Sequence, residues 1–234
     1  AIGRAIDQKT KAIIINSPNN PTGRVYSQDE ITGLSRLLIE RGNAMGKKIY
    51  LISDEPYAEI VFDGAVVPSV LKAYPNSIVA YSYSKTLSLP GERIGYIAVN
   101  PDIHEVADWI GALILCTRIL GFVHAPALMQ RIVARLQDVA VDVMVYQKKR
   151  DLLCDGLDEA GYQFDKPQGA FYLFVKSPIL ADVAFVKILL TKNILVVPGS
   201  GFGGPGYFRV AFCVDDATIV NSMSGFAEAL LACR

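Results

Sequence analysis

The order of three apolar runs in the first third of the chain is the feature that most restricts its fold. Residues 11–16, 48–53 and 77–81 are each rich in β-branched or aromatic side chains, which is typical of buried strands. Between the first two runs, Ser27 and Glu30 fit a capping box at the start of an amphipathic helix. A strand, a helix and a second strand in that order predict a right-handed crossover in a parallel sheet. The sequence therefore predicts an α/β fold.

A fourth apolar run, residues 94–99, follows the third after a short connection. Only nine residues separate Lys85, just past the third run, from Ile94. Because a parallel crossover needs about a dozen residues or more, we expect this strand to run antiparallel to its neighbour. The prediction is a mostly parallel sheet with one antiparallel strand and helices on both faces.

The second half of the chain predicts a change of architecture. From residue 102 to about residue 161 the apolar spacing becomes helical, and the run from Leu128 to Leu157 is long enough for one extended or kinked helix. We expect residues 1–142 to form part of a large domain and residues 143–234 to form a small α+β domain. Its predicted strands are residues 169–175, 194–197 and 207–213, and its predicted helices are residues 181–192 and 215–231.

Composition and charge argue against several classes of protein. The chain of 234 residues has 23 basic and 23 acidic side chains, so its charge favours neither nucleic acid nor an anionic membrane surface as a partner. No apolar run approaches the ~20 residues that span a bilayer, and no signal-peptide pattern opens the chain, so we expect a cytoplasmic protein. The four cysteines and two histidines lack metal-binding spacing, so no metal site is predicted.

The stretch after the third strand combines groups that suit a carbonyl cofactor carrying a phosphate. Lys85 stands beside Ser82 and Ser84, and Arg93 follows eight residues later. A lysine reacts with carbonyl compounds when burial or a neighbouring cation lowers its pKa. Hydroxyl groups and a guanidinium group suit an anionic phosphate. Taken singly, each of these residues is more often an ordinary surface residue.

Polar residues also follow the first two strands. Residues 17–23 form a dense turn signal that contains Asn20, and Asp54 and Tyr57 come directly after the second strand. Ligands of open α/β sheets bind beyond the carboxyl ends of the strands, which favours a functional role. The structural alternatives are a strand-to-helix turn for the first group and a helix cap with a core tyrosine for the second. We also expect a cis bond before Pro21 or Pro18, because tight turns favour one.

Two features of the last third bear on ligand binding. Arg209 interrupts an otherwise apolar strand, and a half-buried arginine favours a bidentate anion such as a carboxylate, with a structural salt bridge as the alternative. Residues 199–204 fit the pattern G-x-G-x-x-G, but a Pro-Gly pair and a strand follow where a dinucleotide site requires a helix. We therefore expect this glycine-rich segment to be a turn beside the active site.

These stretches together resemble the class I/II aminotransferases, which are fold-type I enzymes that use pyridoxal 5'-phosphate. The family's motifs Asn-Pro-Thr-Gly, Asp-x-x-Tyr, Ser-x-Ser-Lys and Arg-x-Gly all occur here in the family's order. The resemblance covers essentially the whole chain. It implies L-amino acids and 2-oxo acids as substrates, with aspartate or an aromatic amino acid and 2-oxoglutarate as family-level expectations, and it implies a homodimer of the full-length enzyme.

The resemblance also implies a role for each of the residues named above. By this resemblance Lys85 binds the cofactor covalently and moves the Cα proton of the substrate, while Ser82, Ser84 and Arg93 hold the phosphate. Asp54 faces the pyridine nitrogen, and Asn20 and Tyr57 face the phenolic oxygen. Arg209 and Asn20 bind the substrate carboxylate.

One departure from the family and two alternatives stay open at this point. The family has a long segment before the Asn-Pro-Thr-Gly turn, so we expect this chain to be a C-terminal portion whose cofactor binding and activity in isolation are open. One alternative is a related enzyme, either a carbon–sulfur lyase or a synthase of the aminocyclopropane-carboxylate type. The other is an aminotransferase-like effector domain of a transcription regulator.

Overall fold

The computed structural model describes residues 2–233, which divide into two compact units. The first unit comprises Ala1–Ser17, Tyr26–Glu59 and Val66–Val141, and the second comprises Pro18–Val25, Ile60–Ala65 and Asp142–Arg234. The predicted domains 1–142 and 143–234 have no such interleaving, and those limits stay a prediction.

Backbone hydrogen bonds to residues 168–170 connect Pro18–Val25 and Ile60–Ala65 to the rest of the second unit. The amides of Gln168 and Gly169 both donate to the Gly23 carbonyl at 2.9 Å, and the amide of Ala170 donates to the Ile60 carbonyl at 2.9 Å. A backbone group that is buried needs such a partner, so these bonds tie residues distant in sequence into one body.

The first unit is built on a four-stranded mixed sheet. Its strands lie in the order β1 (Ala12–Asn16), β2 (Tyr50–Asp54), β3 (Ser77–Ser82) and β4 (Gly95–Val99). The first three are parallel and β4 is antiparallel to β3, which confirms the predicted mixed sheet. The carboxyl ends of β1, β2 and β3 therefore lie at one edge of the sheet.

The residues of the first unit that the structure describes form six helices, and the ends of the second one are encoded by local sequence. The Ser27 side chain accepts a hydrogen bond from the Glu30 amide at 3.2 Å, and the Ser27 amide donates to the Glu30 carboxylate at 2.9 Å, which confirms the capping box. Gly46 ends this helix at a φ of 63°. The helices are α1 (Ile2–Ala5), α2 (Gln28–Met45), α3 (Val70–Ala73), α4 (Tyr83–Thr86), α5 (Val106–Ile119) and α6 (Ala127–Val133).

The expected single helix between Leu128 and Leu157 is wrong, because two helices occupy that stretch. The helix α6 ends at Val133, and the next helix, α7 (Val143–Ala160), belongs to the second unit. The Asp142 side chain caps α7 by accepting from the Met144 amide at 2.9 Å. A tertiary hydrogen bond from the Val141 amide to the Thr86 carbonyl, 2.8 Å long, holds the connection in a non-helical path.

The second unit has a three-stranded antiparallel sheet covered by three helices. The strands β5 (Tyr172–Lys176), β6 (Val197–Pro198) and β7 (Tyr207–Ala211) lie in the order β5-β7-β6. With α7, the helices α8 (Asp182–Leu190) and α9 (Asp216–Leu231) complete the unit, close to the predicted α+β pattern. The strand expected at residues 194–197 is shorter and begins later. The buried side chains at the core of this unit include Leu153, Leu157, Phe185, Phe208, Phe212 and Phe226.

Two negative findings concern residues 2–233. Within them, no helix is long and apolar enough to cross a membrane. The same residues contain no group of three or more histidine, cysteine, aspartate or glutamate side chains placed to hold a metal ion.

Candidate active site

The carboxyl ends of β1 and β2 present a paired amide and carboxylate. Asn16 and Asp54 are the last residues of these strands and face each other in the parallel register. The Asn16 side-chain amide donates to the Asp54 carbonyl at 2.9 Å and to one carboxylate oxygen at 3.2 Å. Partial burial of the Asp54 carboxyl group raises its pKa above the ordinary value, and a cation placed against it would lower that pKa again. The arrangement suits a cationic partner.

The turn that follows β2 buries the next predicted residue. Tyr57 lies three residues after Asp54 and is only 4% exposed. A buried tyrosine normally keeps its hydroxyl hydrogen-bonded, so both a core role and a contact with a ligand are compatible with this position.

The end of β3 brings two serine hydroxyls together at the start of the segment that carries the lysine. Ser82 caps the short helix α4, where its hydroxyl oxygen accepts from the Ser84 amide at 3.2 Å. The Ser82 hydroxyl donates to the Ser84 hydroxyl at 2.8 Å. Lys85 is the next residue and is half-buried. The predicted Ser-x-Ser-Lys group is therefore held by strand β3 and its cap.

The return strand brings Arg93 toward the same serines. Gly95 pairs with Ser82 in the antiparallel register, and a Cβ at Gly95 would lie 2.3 Å from the Tyr81 carbonyl oxygen, so only glycine fits there. Arg93 adopts a left-handed conformation at a φ of 51°, and its guanidinium donates to the Pro90 carbonyl at 2.8 Å.

An open cavity of about 710 Å³ lies beside these groups and is lined in part by Ser82, Ser84, Arg93 and His124. Hydroxyls and a guanidinium around one opening can bind an anion.

In the second unit, Arg209 and Asn20 are in direct contact. One terminal nitrogen of Arg209, Nη1, donates to the Asn20 side-chain oxygen at 2.9 Å. The Arg209 Cζ atom lies 4.4 Å from the centroid of the Tyr172 ring and 4.7 Å from that of Phe202, which are cation–π contacts. Within residues 2–233, the Nε atom of Arg209 is buried and has no hydrogen-bond partner. A buried donor without a partner is costly, which indicates a place for an acceptor.

The turn that carries Asn20 is fixed by its own backbone. The Asn19 amide donates to the Arg24 carbonyl at 2.9 Å, and the Gly23 amide donates to the Asn19 carbonyl at 2.8 Å. Gly23 has a φ of +67°, and a Cβ there would lie 2.2 Å from the Cβ of Pro167. The peptide bond between Asn20 and Pro21 is cis, and it is one of the two bonds for which the sequence predicts that conformation.

The prediction from sequence did not include three residues of these arrangements, Asn16, Tyr172 and Phe202. Asn16 could have been noticed as a polar residue that ends an apolar strand. Nothing in the local sequence marks Tyr172 or Phe202 as neighbours of Arg209, because their contacts depend on the pairing of the strands. The predicted residues Asp54, Tyr57, Ser82, Ser84, Lys85 and Arg93 lie in the first unit, and Asn20 and Arg209 lie in the second.

Comparison with known proteins identifies the chain at the level of the family. The family model described as "Aminotransferase class I and II" matches residues 1–224. The chain belongs to this family. The cofactor of this family is pyridoxal phosphate, and the chain has the α/β fold of fold-type I.

Relatives from this family cover nearly all of the chain but extend well beyond it. A probable aspartate/prephenate aminotransferase of Thermus aquaticus is 31% identical over 98% of the chain and 59% of its own length. A probable aspartate aminotransferase of Methanocaldococcus jannaschii is 32% identical over 97% of the chain and 60% of its own length. The crystal structure of an aminotransferase from Eubacterium rectale superposes with a TM-score of 0.96 at 44% identity, over 99% of the chain and 58% of that protein. The chain thus spans about 60% of the length of these relatives.

The residues of the chain fit pyridoxal phosphate, the cofactor of its family, on chemical grounds. The carboxyl group of Asp54 has a raised pKa that a pyridinium nitrogen would lower, and the paired hydroxyls of Ser82 and Ser84 line the same cavity as Arg93. Lys85 follows directly from this group along the chain. The first unit thus contains a carboxylate, two hydroxyls, a guanidinium and a lysine of the kinds that suit the cofactor's pyridine nitrogen, phosphate and carbonyl group.

Proposed function

We propose that the protein to which this chain belongs catalyses transamination between an L-amino acid, aspartate or an aromatic one, and a 2-oxo acid such as 2-oxoglutarate. The observation that carries the proposal is the Arg209–Asn20 pair with its buried, unpartnered Nε atom. Every amino acid and every 2-oxo acid has a carboxylate next to the reacting carbon. A guanidinium binds such a carboxylate with two parallel hydrogen bonds, which explains why an arginine occupies this strand.

Two features of the first unit support a role in cofactor chemistry. Pyridoxal phosphate, when bound, supplies an electron sink for the charge that forms at the substrate Cα. In our proposal the Asp54 carboxylate accepts the pyridine N–H, and Asn16 keeps that carboxylate oriented through the 3.2 Å hydrogen bond between them. Ser82, Ser84 and Arg93 bind the phosphate.

The remaining roles concern proton transfer and the phenolic oxygen. We propose that the Lys85 amine takes the proton from the substrate Cα and delivers it again, as a positioned general acid and base. Tyr57 and Asn20 are proposed to face the phenolic oxygen. The motifs support these assignments, and Tyr57 is buried directly after β2 as a contact with a bound group would require.

The two alternative functions are less well supported. The relatives that match the chain carry aminotransferase names, which favours transamination over a lyase or a synthase reaction. None of the names quoted above describes a transcription regulator. A homodimer of the whole protein and a cytoplasmic location are also part of the proposal, and they rest on the family resemblance.

Product analysis tests the proposed reaction. The whole protein to which this chain belongs is incubated with pyridoxal phosphate, aspartate or phenylalanine, and 2-oxoglutarate, and glutamate is measured beside the variants Lys85→Ala and Arg209→Met. We expect glutamate from the wild type and a rate lower by about 100-fold or more from either variant, because Lys85→Ala removes the proposed general acid and base and Arg209→Met removes the proposed carboxylate-binding charge. Ammonia release without any need for 2-oxoglutarate would contradict transamination and indicate a lyase.

A spectrum of the same proteins separates cofactor binding from turnover. We expect pyridoxal phosphate to give a visible absorption band with the wild type and with Arg209→Met, but not with Lys85→Ala. A band that persists without Lys85 would show that this lysine does not bind the cofactor covalently.

A further inference from the structure

The glycine-rich turn of residues 199–204 has no part in the reaction as proposed above, yet it carries an aromatic ring to Arg209. Phe202 ends the short 3-10 turn Gly199–Phe202, and its ring centroid lies 4.7 Å from the Arg209 Cζ atom. The ring is 36% exposed, so it forms part of the surface next to the guanidinium. The turn thus reaches the group that we propose to bind the substrate carboxylate.

A buried carboxylate holds the turn in place. Asp182, the first residue of α8, is only 5% exposed, and its carboxylate accepts a hydrogen bond from the Ser200 amide at 2.6 Å. Bonds from a backbone amide to an ionised carboxylate are about twice as strong as those between neutral groups. Ser200 and the residues next to it therefore have a fixed position relative to α8.

The glycines of the turn allow it to pack without space for side chains. A Cβ on Gly199 would lie 2.3 Å from the Gly204 carbonyl oxygen, and a Cβ on Gly204 would lie 2.9 Å from the ring of Phe174. The ring of Phe174 also meets the Phe202 ring edge to face, with centroids 6.5 Å apart and planes at 89°. Because β5 pairs Phe174 directly with Arg209, the turn, the ring and the guanidinium rest on the same strand pair.

We propose that Phe202 is a positioning residue for carboxylate binding, which acts by fixing the plane of the Arg209 guanidinium and limiting its contact with water. The inference rests on the proposed role of Arg209. The face of an aromatic ring attracts a guanidinium, and a less hydrated guanidinium interacts more strongly with a carboxylate. Since Nη1 already donates to Asn20, the edge formed by Nε and Nη2 is the one that receives the carboxylate.

Binding of maleate, a small dicarboxylate, tests the proposal without any need for turnover. Its dissociation constant is measured by titration calorimetry for the whole wild-type protein and for its variants Phe202→Leu, Phe202→Tyr, Tyr207→Leu and Arg209→Met. Leucine keeps much of the volume of Phe202 without a π-face, and tyrosine keeps the face. Tyr207 is the control for a second ring on Phe174: its ring stacks on that of Phe174 with centroids 5.0 Å apart, and its exposure, 39%, is similar. In the part of the chain that the structure describes it makes no cation–π contact with Arg209.

We expect Phe202→Leu to raise the dissociation constant about 3- to 10-fold, the range for loss of a partly exposed cation–π contact. Phe202→Tyr and Tyr207→Leu stay within about twofold of the wild type, and Arg209→Met abolishes binding. Because leucine keeps much of the volume of phenylalanine, weaker binding by Phe202→Leu together with normal binding by Phe202→Tyr assigns the effect to the aromatic face rather than to simple filling of space. Equal affinity of Phe202→Leu and the wild type would overturn this inference and leave the role of Arg209 intact. Equal affinity of Arg209→Met and the wild type, or no binding by the wild type, would overturn the role of Arg209 and with it the inference.

The contribution of Asp182 is tested in the same titration. Asp182→Ala removes the acceptor for the Ser200 amide but touches neither ring, and we expect it to weaken maleate binding in the same range as Phe202→Leu. Asp182→Asn keeps an acceptor oxygen and serves as its control. An unchanged affinity of Asp182→Ala would overturn the assignment of Asp182 as the residue that holds the turn.

Discussion

A buried ion pair in the second unit gives a quantitative test of how that unit is stabilised. The Arg150 side chain is only 1% exposed, while that of its partner Asp63 is 58% exposed. The Arg150 Nη2 atom donates to one carboxylate oxygen of Asp63 at 3.0 Å, and Nη1 donates to the other oxygen and to the Pro167 carbonyl, the latter at 3.1 Å. The Phe62 ring lies 4.8 Å from the guanidinium carbon. This arginine thus connects the segment at residues 60–65 to the loop before β5.

The size of the coupling follows from the unequal burial of the two charges. Breaking a fully buried pair costs about 3–5 kcal/mol, and an exposed pair contributes about 0–1 kcal/mol. Here the guanidinium is buried and the Asp63 carboxylate is exposed. The Asp151 carboxylate also accepts a hydrogen bond from Arg150 Nε at 3.0 Å and keeps the guanidinium paired when Asp63 is removed, so we expect a coupling free energy of about 1–2 kcal/mol. The hydrogen bond from Arg150 holds the pKa of Asp63 below its ordinary value, in agreement with a favourable interaction.

The assay is a double-mutant cycle with Arg150→Met, Asp63→Ala and the double variant, each unfolded in urea. The matched control is the same cycle on the surface pair Lys192–Glu228, whose side chains are 36% and 59% exposed. We expect less than about 1 kcal/mol for the control pair. A coupling at Arg150–Asp63 no larger than that of the control would refute the argument that burial of one partner preserves the interaction.

Three further predictions concern the turns and the strand ends. Gly23→Ala should destabilise the chain by about 2 kcal/mol or more, because the new Cβ would lie 2.2 Å from the Cβ of Pro167 at a backbone φ of +67°. Gly46→Ala is the control, since Gly46 has a φ of +63° but open space around it, and should cost only about 1 kcal/mol. The unfolding midpoints of both variants check this. The Ser200 amide lowers the pKa of Asp182 in the folded state, so its stabilisation is present above the ordinary pKa near 3.8 and is lost as the pH falls through the folded value. The melting temperature of Asp182→Asn should therefore lie below that of the wild type at pH 7 and approach it under acidic conditions, and a constant gap would contradict this. Asp54→Asn should lower glutamate formation by about 100-fold or more, since it removes the charge opposite the cofactor nitrogen, and an unchanged rate would contradict that role.

The direction of strand β4 could be predicted from the sequence because the length of the connection between two strands limits how they can pair. The connection between β3 and β4 is too short for a crossover, and β4 is indeed antiparallel. The break between α6 and α7 could not be predicted in the same way. Helical spacing continues through residues 134–142, but the hydrogen bond between Val141 and Thr86 and the cap at Asp142 end the helical path. Both are contacts that periodicity does not encode.

The candidate site shows the same division between local and tertiary information. The serines, Lys85 and Asp54 stand at strand ends, where the sequence alone marks them, and their roles stay predictions. Asn16 is equally visible in the sequence, but only the register of β1 against β2 shows that its amide faces Asp54. Phe202 is 7 residues from Arg209 along the chain, and only the fold of the turn on Phe174 brings the two together.

The contacts around Arg209 and those around Asp54 lie in different units, so substitutions at the two residues should have separable effects. The hydrogen bond of Arg209 to Asn20 and the contacts with Tyr172 and Phe202 all lie within the second unit. The pairing of Asp54 with Asn16 lies within the first. Substitutions at Arg209 should therefore change carboxylate affinity and leave the absorption band with pyridoxal phosphate in place. Substitutions at Asp54 should do the reverse, because each arrangement is held by neighbours from its own unit.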